Sequence, residues 1–144
     1  MHEMLEIVLK ILLLIGLFYI AWFDYKTKLI DAEWLVLFGA LGLAGVLLQG
    51  DVTLLWQSCQ GMMIGGVLLL FAWISGESVG FGDGWLFVVT GIFLGLIKNF
   101  VLLFGSMVLA GLFAICCLVL KKKGRNDRVA LAPFVLTAYV VFVL

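Results

Sequence analysis

Two carboxylates stand where an apolar chain would be least expected to keep them. Asp83 sits in the stretch SVGFGDGW, residues 78–85, with Gly80, Gly82 and Gly84 around it. Asp24 follows Trp22 and Phe23 at the end of the first apolar run. An ionisable group sunk among apolar helices is costly and marks a functional site by default. Two carboxylates in one partly dehydrated pocket titrate as a pair, because like charges repel at short range. One can take a proton from water while the other donates to a carbonyl oxygen. That suffices for peptide hydrolysis without a further side-chain catalyst.

The other polar residues offer less. Glu3, Glu6, Asp51 and Asp127 belong to termini or loops, and Asp31 reads as a helix N-cap with Glu33 in the first turn. The only histidine is His2, which removes Ser-His and Cys-His catalysis. Cys59, Cys116 and Cys117 lie within apolar blocks without a CxxC pair, so they read as small lipid- or helix-facing residues, and neither a metal nor a cofactor is expected. Spacing alone leaves open that the three glycines form a flexible loop with Asp83 as an N-cap. It also leaves open that Asp24 is a surface acid paired with Lys26 or Lys28. A phosphate-cradling loop is disfavoured, since no Lys-Ser or Lys-Thr follows the glycines.

The elements that must position the two acids are apolar helices. Of the 144 residues 65% are hydrophobic and 12% charged, the composition of an all-α polytopic membrane protein, and the zero net charge implies no attraction to nucleic acid. Six apolar segments predict six transmembrane helices in one domain, residues 1–144: about Leu5–Phe23, Trp34–Gln49, Leu54–Ser75, Gly84–Ile97, Phe100–Leu120 and Val129–Leu144. A single helix over Gly84–Leu120 would be ~55 Å long against a hydrocarbon core of ~30 Å, so a tight turn is expected at Lys98-Asn99. The N-terminal run has no small-residue cleavage site and is expected to stay as a span, and no attached soluble domain is expected.

Lysine and arginine set the orientation. Lys26, Lys28, Lys121, Lys122, Lys123, Arg125 and Arg128 fall after odd-numbered segments, against only Lys10 and Lys98 on the other side. This places the odd loops in the cytoplasm and both termini outside. By the same parity Asp24 and Asp83 reach one membrane face although 59 residues separate them. The fourth segment has 14 uncharged residues, ~21 Å as a helix, so Asp83 would be drawn below the interface. Gly80 and Gly82 would allow positive φ and a close backbone approach, leaving room beside Asp83 for an extended peptide.

On these residues the chain resembles the intramembrane aspartic proteases with a Gly-x-Gly-Asp signature, here GFGD, and within them the type IV prepilin peptidases. FDYKTKLIDAEWL is similar to the stretch after that family's first catalytic aspartate, and GFGDGWLF to its second. KKKGRNDRVALAPFVL resembles its basic loop and the Pro-Phe opening of the last helix. The departures are Asp31-Ala32, where the family often has Pro-Asn, and Trp85-Leu86, where it often has Lys-Leu. The resemblance implies an endopeptidase that cuts the basic leader from prepilin-like precursors at the cytoplasmic membrane of a bacterium or archaeon. Asp24 and Asp83 would be catalytic, Gly80 and Gly82 would shape the active-site backbone, and no metal would be needed. It implies a short form without the cysteine-paired segment tied to N-methylation. Lys26, Lys28 and the 121–128 cluster are expected to meet lipid headgroups. A rival reading from another class is a non-enzymatic membrane protein, a transporter subunit or pilus assembly factor, using the same acids to bind a cation or proton. A family member that has lost activity but still binds pilin-like helices is a third.

Overall fold

The structure, a computed structural model, describes residues 2–28, 30–76, 80–120 and 129–144. Its elements are α1 (His2–Thr27), α2 (Ala32–Gln49), α3 (Val52–Ile74), α4 (Phe81–Val119) and α5 (Ala132–Ala138), which runs on as a π-helical turn over Tyr139–Val143. Among the described residues there is no strand. The basic run 121–128, and with it the expected lipid-facing cluster, lies outside the described residues. Local signals set the helix ends. Asp31 caps α2 as expected, its Oδ1 accepting the Glu33 N–H at 3.2 Å. Asp51, expected to be a plain loop acid, caps α3 and accepts from both the N–H (2.8 Å) and the hydroxyl (2.7 Å) of Thr53.

Four helices are long and apolar enough to cross a membrane: Glu3–Thr27, Ala32–Gln49, Val52–Ile74 and Phe81–Val119. The last is not one straight rod. Gly95, at φ 72° and ψ −175°, breaks α4 into an arm of residues 81–94 and an arm of residues 96–119. The Thr90 hydroxyl donates to Asn99 Oδ1 at 2.7 Å. Nine residues of straight helix would hold those two positions ~13 Å apart along the axis. The chain therefore doubles back, as the length argument required, but at Gly95 and not at Lys98-Asn99. Two adjacent polar residues in an apolar block are the expected turn. The fold instead uses the backbone that only glycine adopts without strain, and Asn99 is fully buried in the second arm.

The short arm is clamped against α3. The Asn99 amide donates to the Gly61 carbonyl at 3.0 Å and the Phe87 carbonyl at 2.9 Å, and the Ser58 hydroxyl donates to the Ile92 carbonyl at 2.8 Å. The Ile92 carbonyl is one of the last in the short arm, where intrahelical partners run out at the Gly95 break, and Ser58 answers it; the Asn99 bonds join the returning arm to α3 and to the middle of the short arm. The close approach has a steric basis: a Cβ on Gly61 would collide with the carbonyl of Gly91, and one on Gly91 would collide with Gly61.

On α1, Leu13, Leu17 and Ile20 form the inward stripe, and Asp24 continues it at the same three- and four-residue spacing. Tyr19 packs on Trp34 of α2 with ring centroids 4.7 Å apart, and Phe113 on Phe134 of α5 at 5.3 Å. The Tyr139 hydroxyl donates to the Lys10 carbonyl at 3.1 Å, tying the end of α5 to the start of α1. Gly95→Ala puts a side chain into the glycine-only backbone region. It is expected to lower unfolding stability by about 1–3 kcal/mol, read as a drop in the thermal midpoint of the purified protein in detergent.

Candidate functional site

Asp24 reaches the interior because of its register. It is 4% exposed, while its neighbours Trp22 and Tyr25 are 67% and 76% exposed on the outward face. Its Oδ2 accepts the backbone N–H of Ala132 at 3.0 Å. Ala132 opens α5, and its N–H is one of those a helix leaves without an internal partner. The carboxylate thus answers a free donor 108 positions away in sequence. Lys26 and Lys28 are exposed, so the alternative of a surface ion pair with Asp24 does not describe this side chain. α1 ends one turn further on, where Lys28 takes a left-handed φ of 55° and its N–H bonds to the Asp24 carbonyl.

Asp83 lies in the first turn of α4, half-buried. It is not the N-cap: Gly80 holds that position, with extended backbone and no side-chain cap. The start of α4 lies against the chain that follows α1, since Gly82 packs on Ile30. The end of α1, the start of α4 and the start of α5 therefore gather at one end of the bundle, and both acids lie at that end. Asp83 sits close over Gly80, where a Cβ would lie 3.1 Å from its Oδ2.

The glycine expectation is half corrected. Among the described residues, positive-φ glycines are Gly50, Gly76 and Gly95; Gly80 has φ −64° and Gly82 is not among them. Both act by lacking a side chain. Gly80 leaves space for the Asp83 carboxylate, whereas a Cβ on Gly82 would lie 3.0 Å from Ile30 Cβ. Gly82 thus lets the linker before α2 settle against the start of α4.

Sequence reasoning missed three participants. Asn99 and Thr90 hold the arm that carries Asp83, and the Ala132 N–H holds Asp24. An asparagine inside an apolar block was a readable signal for the first; a backbone donor leaves no mark in a sequence. A cavity of about 290 Å³ opens at the opposite end, lined by Lys10, Gln49, Asp51 and Lys98 among others. The Lys10–Glu6 ion pair at 2.9 Å borders it.

Residues 11–115 match the type IV leader peptidase family. The chain belongs to that family. Both acids and the whole glycine motif fall inside the matched span. A search of curated proteins and one of solved structures each gave no match. Membership implies a peptidase with precursor proteins as substrates, and the apolar helices fit a multi-pass membrane protein. For this leader peptidase family member, the two glycines are expected to separate experimentally. Gly82→Val, which drives carbons into the branched Ile30 side chain, should lower stability by about 1–3 kcal/mol. Gly80→Ala meets only the movable end of Asp83 and should leave stability within about 0.5 kcal/mol. Thermal denaturation of both variants checks this.

Proposed function

We propose that this chain is an intramembrane aspartic endopeptidase that removes the basic leader from prepilin-like precursors, with Asp24 and Asp83 as its catalytic residues. The observation that supports the reading is that the α1 end bearing Asp24 and the α4 start bearing Asp83 lie at one bundle end, in a chain of the leader peptidase family. One carboxylate takes a proton from the attacking water, and its partner donates to the oxygen of the scissile carbonyl. The Ala132 N–H, bonded to Asp24, fixes which oxygen of that carboxylate is engaged and leaves Oδ1 for water. Gly80 keeps the space beside Asp83 free of a side chain, as an extended peptide there requires. The precursor's apolar helix lies in the bilayer beside the bundle.

The reading extends to topology. Helical runs alternate between the acid end and the cavity end, with Gly95 as one reversal. We take this as six membrane passes in a bacterial or archaeal cytoplasmic membrane, both termini outside and the acid end cytoplasmic. Exposed Lys26 and Lys28 at the acid end agree with that orientation. The short arm, 81–94, is ~21 Å long and cannot cross ~30 Å of hydrocarbon alone. Asp83 is accordingly reached from a depression in the cytoplasmic face.

Asp24→Asn and Asp83→Asn should each cut the rate of leader removal from a prepilin-like peptide by about 10²–10⁴-fold, with the detergent-solubilised protein still folded. Either variant cleaving at the wild-type rate would remove that residue from the dyad. Thiol labelling of intact cells at single cysteines checks the orientation: Lys28→Cys should resist an impermeant reagent and Lys98→Cys should react with it.

A further inference from the structure

Asp83, Phe87 and Thr90 lie at positions i, i+4 and i+7 of one helix, so they share a face. Asn99 holds two of the three: its amide donates to the Phe87 carbonyl and its Oδ1 accepts from Thr90. The same amide donates to Gly61 of α3. One side chain thus joins α3 and both arms of α4, one to two turns from Asp83. Both Asn99 and Thr90 are fully buried, and among the described residues no buried side-chain polar atom lacks a partner. Because the two carbonyls accept only from the NH2 end, the amide has one orientation that satisfies all its bonds. The arm it holds is short, ends at a glycine break and bears Asp83 in its first turn. We infer that Asn99, with Thr90, is a positioning residue that fixes the depth and direction of the Asp83 carboxylate relative to Asp24.

The inference rests on the proteolytic reading for its kinetic consequence but not for its structural one, so the test has two arms. In the first, spin labels at Tyr25→Cys and Trp85→Cys, both on exposed positions beside the acids, report the distance between α1 and the short arm. Cys59, Cys116 and Cys117 are first replaced by serine. The Asn99-intact protein should give one narrow distance, and Asn99→Leu and Thr90→Val should broaden it. In the second, leader cleavage by the unlabelled proteins should lose about 100-fold in kcat for Asn99→Leu and about tenfold for Thr90→Val, with KM changed less than about threefold. Thr90→Ser, which keeps the hydroxyl, should restore both readouts. Thr90→Val deletes a single hydroxyl and carries the test if Asn99→Leu does not fold. A distribution as narrow as that of the Asn99-intact protein in every folded variant overturns the inference, whatever the cleavage rate. So does a Thr90→Ser protein that behaves like Thr90→Val. A wild-type protein inactive on every leader, with the distance still broadened in the variants, sinks the proteolytic reading and leaves the lock standing.

Discussion

A backbone that reverses among packed helices leaves the carbonyls beside the break without helical partners, and other groups must answer them. Gly95 makes the reversal sterically open, Ser58 answers the Ile92 carbonyl beside it, and Asn99 binds the returning arm to α3 and to the short arm. The glycine pair Gly61 and Gly91 lets the two backbones come close enough for those bonds to form. Remove the reversal and the segment becomes a 39-residue rod, longer than any bilayer needs and unable to return to α3.

The location of Asp83 follows from that constraint. An arm of 14 residues ends at Gly95 and is held at its middle by Asn99, one turn beyond Asp83. Asp24 arrives by a different route, as the last member of an apolar stripe on α1 whose register turns it inward. α5 then completes the setting, since the start of that helix offers an N–H to Asp24. Three chain segments far apart in sequence each contribute one element to the end of the bundle where both acids lie.

The glycines that open and break α4 divide the labour in a way that their spacing hides. Gly95 works through backbone freedom, whereas Gly80 and Gly82 work through absence of bulk, one facing a carboxylate and the other a branched side chain. The flexible loop that spacing alone leaves open is, over the motif's described part, a helix start pressed against its neighbours. Family membership agrees with this arrangement, because the matched span holds the acids and both arms as far as residue 115.

Much was legible in the sequence by itself. Composition and block length gave the apolar helices, parity put Asp24 and Asp83 at one end, and the length limit on Gly84–Leu120 required a reversal. The Asp31 cap was equally plain, because capping is a contact between near neighbours. Tertiary structure decided what depends on partners distant in the chain. It placed the reversal at Gly95, where polar Lys98-Asn99 had seemed the natural turn. It turned Asn99 from a loop residue into a buried clamp, and gave Asp24 a backbone donor in α5. Hydropathy and charge are sums over local residues and are written in the sequence. Which carbonyl is left without a partner, and which side chain is near enough to serve it, exists only after the helices have packed.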